Sequence, residues 1–333
     1  MTFDIVIATR NREESLLRLI NQIKSCDILP NKIIVIDSSD EIMINPILDE
    51  NIIHYIKCER RNKPYQQFIG ASKSDSECII FMDDDMKILD KFCFKKIIDC
   101  FESSEEIYGV QPNFHYKNNF FDDYLPSSKT RKSGLIGTIS YLFRFIFCNI
   151  NLREGEISFS GVKGPILQST NSIQWFYGPV FAAKKEHIFY NLNATLFDVF
   201  DSDYGYGEDL LFGMTLSKLG KIKLLKEKLF LHDDSNESFF SNTSLKYATR
   251  VAYSRLFLSL EYARLYQKSL LFALIHYNLN LSGRLIGILF NQLISFDKKR
   301  NNLFRGYILG YSFALRDFKK LRKIKTIDDY DYF

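Results

Sequence analysis

Apolar residues in this chain fall first into short unbroken runs and then, in the last third, into long helical stripes. Phe3-Asp4-Ile5-Val6-Ile7-Ala8, Lys32-Ile33-Ile34-Val35-Ile36, Ile52-Ile53-His54-Tyr55-Ile56 and Cys78-Ile79-Ile80-Phe81-Met82 are short and rich in β-branched residues. Such runs predict strands buried on both faces. Between the first two, Thr9 to Glu14 supplies helix-start chemistry, Leu16, Leu17, Leu19, Ile20 and Ile23 repeat at helical spacing, and Pro30 closes the segment. The result is a β-α-β unit with a parallel, right-handed crossover. A further helix is expected from Pro64 to Ser72. The first hundred residues thus predict an open α/β sheet, and polar residues gather just past its strand ends, where such sheets bind ligands.

From about Gly109 the alternation becomes irregular, with aromatic clusters at Phe120-Phe121, Tyr141 to Phe147 and Trp175-Phe176-Tyr177 and a basic turn at Lys129-Thr130-Arg131-Lys132. A helix is expected from Glu208-Asp209, stopped by Gly220, and then a strand from Ile222 to Leu231 running into His232-Asp233-Asp234. Beyond Thr243 the pattern is wholly helical and free of proline, with a polar stripe through Lys246, Arg250, Ser254, Glu261, Arg264 and Lys268. Three regions follow: 1–108 as a ligand-binding α/β half, 109–243 as a second half of the same domain, and 244–333 as a helical C-terminal region.

Composition narrows the class. With 333 residues, 46% hydrophobic and 25% charged, the chain has a real core, and disorder is excluded. The net charge of +4 conceals an asymmetry: residues 1–244 carry 28 Lys and Arg against 34 Asp and Glu, whereas residues 245–325 carry 16 against 3. A basic segment of that strength calls for a partner. The six cysteines form no CxxC pair or zinc spacing, and Asp4 interrupts the only N-terminal apolar run, so it does not read as a signal peptide. No stretch reaches the roughly 18 apolar residues a membrane span needs. A cytoplasmic protein is expected.

Three consecutive carboxylates after a buried strand, Asp83-Asp84-Asp85, repel one another, and a cation resolves the conflict. In an extended segment Asp83 and Asp85 point to one side and can share a hard divalent ion while Asp84 faces elsewhere. An acidic solvated turn is the plain alternative.

The first strand with Thr9-Arg10-Asn11-Arg12, the second ending in Asp37-Ser38-Ser39, Phe81-Met82-Asp83-Asp84-Asp85, and Tyr206-Gly207-Glu208-Asp209 together resemble family 2 inverting glycosyltransferases of GT-A fold, over roughly residues 3–235. Each motif alone is weak; their order and spacing carry the likeness. The resemblance implies a GT-A-like open, mostly parallel sheet flanked by helices. It implies a nucleoside-diphosphate sugar donor, of UDP or dTDP type, held by Thr9, Arg10, Arg12, Asp37, Asp83 and Asp84. It also implies a Mn or Mg ion on Asp83 and Asp85, with His232 as a further ligand. The common pattern has a further aspartate and a glycine where this chain has Ser38 and Ser39. Asp209 is the expected general base, with the adjacent Glu208 able to fill the role or to position the acceptor. A helix N-terminus accounts for the same pair structurally. Trp175 and Tyr177 suit an acceptor sugar, although tryptophan is usually core.

The basic C-terminal segment, with Lys298-Lys299-Arg300, Arg305, Arg316, Lys319-Lys320, Arg322-Lys323 and Lys325 among many apolar residues, has the composition of helices that lie on anionic membranes. A helical subdomain packed on the body is the alternative. No nucleic-acid module accompanies the charge, so a nucleic-acid partner is not expected. The functional expectation is transfer of a sugar to a glycan or lipid-linked acceptor in surface polysaccharide synthesis, peripheral to the cytoplasmic face of a membrane. Two other readings remain: a sugar-phosphate nucleotidylyltransferase, disfavoured because Ala8 to Glu14 lacks glycine, and a non-catalytic membrane-associated sugar-binding scaffold.

Overall fold

The structure, a computed structural model, describes residues 1–116, 146–147, 154–164, 166, 169–233, 244–294 and 298–327. The basic turn at 129–132, the aromatic pair at 120–121, Cys148 and Asp234 lie outside the described residues. The chain divides into two compact units, each drawn from three segments. One holds residues 1–122, 171–191 and 215–235, the other residues 123–170, 192–214 and 236–333.

The first unit is built on one sheet. Strands β1 (Phe3–Thr9), β2 (Ile33–Asp37), β3 (Ile53–Lys57) and β4 (Cys78–Asp83) form a parallel arm in the order β3-β2-β1-β4. Helix α1 (Glu13–Lys24) crosses between β1 and β2 and buries Leu16, Leu19, Ile20 and Ile23, the predicted stripe. Helix α2 (Lys63–Ser72) begins on Asn62, whose side chain accepts from the Tyr65 backbone N–H, with Pro64 in the first turn. Asp4 sits fully buried inside β1, and its carboxylate is satisfied by the Lys32 backbone N–H at 2.8 Å and the Ser74 hydroxyl at 2.6 Å. That is why a charge survives in an otherwise apolar strand.

Beyond β4 the sheet becomes mixed. After β5 (Met86–Ile88) and α3 (Cys93–Glu102) come β6 (Ile107–Tyr116), β7 (Ser172–Ile173), β8 (Val180–Lys184), the short helix α4 (Lys185–Ile188) and, later, β9 (Lys221–His232). The order continues β4-β8-β6-β9-β5, with β8 antiparallel to both neighbours, β6 parallel to β9, and β7 on β9. The irregular stretch near Gly109 is therefore a ten-residue strand. Its register on β9 shifts between Ile107 and Gly109 and on both sides of Asn113, which removes the alternation a strand usually displays.

The register has a functional consequence. Thr9 pairs with Asp37 and Ala8 with Asp83, so the polar ends of β1, β2 and β4 arrive at one edge. Met86 of β5 pairs with His232, and the Asp233 backbone N–H donates to the Asp85 carbonyl at 3.0 Å, which brings the end of β9 to the same carboxylates.

The second unit contains α5 (Thr195–Asp201), the first residues of α6 (Glu208–Leu216), and the long helices α7 (Ser244–Leu265), α8 (Leu270–Ile294) and α9 (Lys298–Arg316), followed by α10 (Phe318–Leu321). Helix α9 approaches α7 through Gly306 and Gly310, where a Cβ would come within 2.4 Å of the Leu245 carbonyl and 2.3 Å of the Thr249 carbonyl. The polar stripe of α7 is partly internal. The Ser254 hydroxyl donates to the Tyr204 carbonyl at 2.9 Å, Arg250 Nε to the Asp203 carbonyl at 2.7 Å, and Glu261 accepts from Asn193 at 2.6 Å and Arg264 at 2.8 Å. These bonds compensate burial that the periodicity alone would have assigned to a wet face.

Candidate active site

Three turns converge at the strand ends of the first unit. Asn11 adopts a left-handed backbone (φ 53), which asparagine tolerates, and is tied across to the next loop: its backbone N–H donates to Ser39 Oγ at 2.7 Å and its amide exchanges two bonds with Asp40. The next residue, Arg12, points its Nη1 at Asp84 Oδ1 (3.0 Å) and Asp85 Oδ2 (2.7 Å). Thr9 Oγ1 donates to Asp84 Oδ2 at 2.7 Å. Lys63 Nζ meets Asp83 Oδ1 at 2.6 Å, and His232 Nε2 lies 3.2 Å from Asp85 Oδ1. Asp84 is buried against β1; the chain turns at Asp84-Asp85 between β4 and β5 instead of staying extended, and ligand atoms of Asp83 and Asp85 nevertheless lie within 4.8 Å of each other.

Burial decides the behaviour of Asp84. It pushes the carboxyl up to about 6, against the pull of Arg12 and the Thr9 hydroxyl, with Asp85 and Asp83 adding to the rise. For Asp85 burial also acts upward, but His232 and Arg12 outweigh it and hold the group below the usual carboxylate range. Burial opposes the Arg12 charge too, and the pair of carboxylates more than compensates, so Arg12 stays protonated.

Asp83, Asp85 and His232 each offer one ligand atom, and these atoms lie within 4.8 Å of one another. Two carboxylates and an imidazole suit a hard or borderline divalent ion such as Mn or Mg. The residues present therefore fit a divalent metal. Beside them a cavity of about 310 Å³ is lined by Thr9, Arg10, Arg12, Ser38, Arg61, Lys63, Gln66, Asp83 and Asp84. Its four cations face a volume suited to a charged ligand. Gln66 is a support: its amide donates to the Ile36 carbonyl at 2.8 Å and the Thr9 carbonyl at 3.3 Å, fixing α2 against two strand ends. Arg10 is exposed and lies 3.6 Å from Asp40.

Asp37 has a more internal position than the resemblance implied. It is fully buried, and its carboxylate accepts from the Ser39 backbone N–H (2.8 Å), the Ser39 hydroxyl, the Tyr55 hydroxyl (2.6 Å) and Lys57 Nζ (3.4 Å). Both oxygens are engaged by the chain itself, so Asp37 holds the loop that presents Ser38 to the cavity. Trp175 requires a correction. Its indole is fully buried, which gives it a packing role and withdraws its ring face from an acceptor sugar. Tyr177 is half-buried, its backbone N–H donates to Gln111 Oε1 at 2.7 Å, and its ring meets Phe114 edge-on.

In the second unit, Glu208 and Asp209 open α6, where the dipole favours them. Glu208 is buried, and Asp209 Oδ2 lies 3.7 Å from Lys163 Nζ. Burial lowers the hold of Lys163 on its proton, while Asp209 acts in the opposite direction. Sequence reasoning passed over Lys163, Arg61 and Lys63. The signals were present in the run Arg60-Arg61-Asn62-Lys63-Pro64 before a helix, and in Ser160-Gly161-Val162-Lys163 within an apolar neighbourhood.

Residues 4–155 match the sequence profile described as Glycosyl transferase family 2. No curated protein sequence matches the chain. Among solved structures, one similar chain is GalNAc-T7 with UDP, GalNAc and Mn2+, at TM-score 0.51 and 15% identity, covering 76% of this chain and 48% of that one. The protein thus spans about half the length of that relative. Another is the mannosyltransferase PcManGT from Pyrobaculum calidifontis in complex with GDP-Man and Mn2+, at TM-score 0.50 and 11% identity, covering 95% and 87%. At these identities the likeness establishes the fold. Over residues 4–155, a little under half of the chain, the sequence is similar to glycosyl transferase family 2, and the fold is GT-A-like, an α/β sheet flanked by helices with further helices at the C-terminus.

Proposed function

We propose that the protein is a metal-dependent, inverting glycosyltransferase that moves a sugar from a nucleoside diphosphate, of UDP or dTDP type, to a hydroxyl of a glycan or lipid-linked acceptor in surface polysaccharide assembly. The observation that carries this reading is the meeting of Asp83, Asp85 and His232, with Asp83 also lining a cavity walled by cations. A divalent ion held there supplies charge neutralisation for the departing diphosphate. Arg12, Arg61 and Lys63 add fixed positive charge along the same wall, and Thr9 and Asp84 set the position of Arg12.

Asp209 serves as the general base. It takes the proton of the acceptor hydroxyl as the new bond forms to the anomeric carbon and the bond to the diphosphate oxygen breaks. Lys163 Nζ lies 3.7 Å from its carboxylate, Glu208 positions the acceptor, and Tyr177, half-buried, contributes to acceptor binding.

A membrane-bound acceptor is supported by the C-terminal helices. No helix among the described residues is long and apolar enough to cross a membrane. Leu271, Ile275, Ile286 and Leu289 on α8 and Ile308, Leu309 and Leu315 on α9 are nevertheless exposed, and Lys319, Lys320, Arg322 and Lys323 follow closely. That combination suits peripheral attachment to the anionic cytoplasmic face of a membrane.

The test is a screen of UDP-, dTDP- and GDP-sugars for Mn-dependent thermal protection, followed by transfer assays with Asp209→Asn. Protection lost in excess chelator, and a fall in turnover of roughly 10²- to 10⁴-fold with donor affinity unchanged, are the expected results. Normal turnover in Asp209→Asn overturns the assignment of the base, and full activity in chelator overturns the metal.

A further inference from the structure

The second unit contains a concentration of buried hydrogen-bond donors that the reaction above does not use. Arg255 projects from α7 and is only 9% exposed; its Nη1 donates to the Ser160 carbonyl at 2.7 Å, while its Nε has no hydrogen-bond partner. Asn280 on α8 is 2% exposed and its Nδ2 is likewise without one. Arg284, one turn further along, holds Asn280 in place: its Nε donates to Asn280 Oδ1 at 3.0 Å and its Nη1 to the Tyr307 hydroxyl oxygen at 3.1 Å. Tyr206 and Tyr247 stand edge to face at 6.1 Å and, like Tyr307, belong to the apolar cluster around Ala248 and Ala252.

Charge tells the same story. Burial lowers the proton affinity of Arg255 to about 10, and Arg284 adds a like-charge contribution in the same direction. Lys163 is also repelled by Arg255 while attracted by Asp209 and Glu208. Arg255 is the buried member of this group, while Lys163, Arg284 and Asp209 are partly exposed, and buried donors without an acceptor, such as Arg255 Nε and Asn280 Nδ2, are among the most costly features a fold can keep. The turn that supports them is shaped for the purpose: Gly161 has φ +69, and a Cβ there would sit 3.1 Å from Arg255 Nη1.

We infer that Arg255, Asn280, Arg284 and Lys163 form a binding site for a phosphate group. A tetrahedral oxyanion offers acceptor lone pairs in several directions, so one group can satisfy donors from α7, α8 and the 160–163 turn where a planar acceptor would leave some unmet. The inference deepens the reading of the chain as a glycosyltransferase, whose substrates carry phosphate in the donor diphosphate and, for a phosphate-linked acceptor, beside the accepting hydroxyl.

The experiment is calorimetric titration of the full chain with inorganic phosphate at constant ionic strength, with chelator present so that the Asp83, Asp85 and His232 site holds no ion. Saturable binding is expected, weakened at least about tenfold in Arg255→Gln. Asn280→Asp is the second variant: it keeps the acceptor for Arg284 and replaces a donor with a negative charge, and it should lose phosphate binding by a similar factor while its melting temperature stays at or above that of the parent. A flat titration of the parent, or undiminished affinity in folded Asn280→Asp, overturns the site. Competition then identifies the source. Displacement of phosphate by glycerol phosphate and not by UDP with Mn identifies the acceptor, and the reverse identifies the donor; displacement by neither overturns the inference. Asp85→Asn separates the two proposals, because it should abolish Mn-dependent nucleotide binding and leave the phosphate titration intact.

Discussion

The two units handle buried charge differently. In the first, carboxylates buried in the strands and at their ends are met by donors of their own unit: Asp4 by Lys32 and Ser74, Asp37 by Ser39, Tyr55 and Lys57, Asp84 by Thr9 and Arg12. In the second, α7 and α8 bury guanidinium and amide donors of which two have no acceptor. A sheet edge supplies many backbone and hydroxyl donors, so anions placed there can be satisfied locally. Packed helices have spent their backbone groups internally and leave side chains to satisfy one another. The contrast sets carboxylates satisfied within the first unit against two buried donors without an acceptor, Arg255 Nε and Asn280 Nδ2, in the second.

The largest break in that contrast comes from Asp37. Asp37→Ala removes the buried acceptor of the Tyr55 hydroxyl and of the Ser39 backbone N–H, while Lys57 keeps the Ser39 and Glu41 carbonyls, and the loss is about 2 to 3 kcal/mol. Urea unfolding read by circular dichroism should show it; a loss below about 1 kcal/mol would mean that water replaces the carboxylate freely and that Asp37 is not a structural centre. A smaller effect is expected at Gly161→Ala, which places a Cβ at φ +69 and against Arg255. About 1 to 2 kcal/mol follows from the left-handed backbone, together with weakened phosphate binding. Unchanged stability would show that the 160–163 turn does not brace Arg255.

How far each unit was legible in the sequence follows from the same contrast. Asp83-Asp84-Asp85 is contiguous and follows an unmistakable buried strand, so both the element and two of the three side chains that could hold a metal ion were legible before any coordinates. Glu208-Asp209 was visible as a helix start, and the long helices after residue 243 were visible from their period. Strands β6 and β8 were not, because Pro112, Asn113 and the register shifts break the alternation of one and the other is five residues long in a region of aromatic clusters. Trp175 misled because residue type speaks of an aromatic surface and says nothing of its exposure. Arg255 and Asn280 were unreadable for a deeper reason: each is one polar residue among several on its helix, and only the fold shows which of them are buried. The expected stripe on α7 points the same way, since Ser254 and Glu261 lie on the period of a wet face and are buried.

Glu261 provides the finest test of the contrast, because it is the carboxylate that the second unit buries on α7. Burial raises its proton affinity, and Arg264 and the Asn193 amide only partly offset this. The folded state therefore binds the proton more tightly than the unfolded chain does. Stability from this group is fully present below the ordinary glutamate range and is lost as pH rises through the raised folded value, the opposite of the usual paired carboxylate. Glu261→Gln keeps an acceptor for Asn193 and removes the titration. The variant should match the parent at acid pH, lose less stability as pH rises toward neutrality, and be the more stable protein at pH 7. Denaturant midpoints measured from pH 4 to pH 8 decide it: a parallel pair of curves, or a parent that gains on the variant as pH rises, would show that the ion pair with Arg264 dominates. The second unit would then satisfy a buried anion as well as the first does.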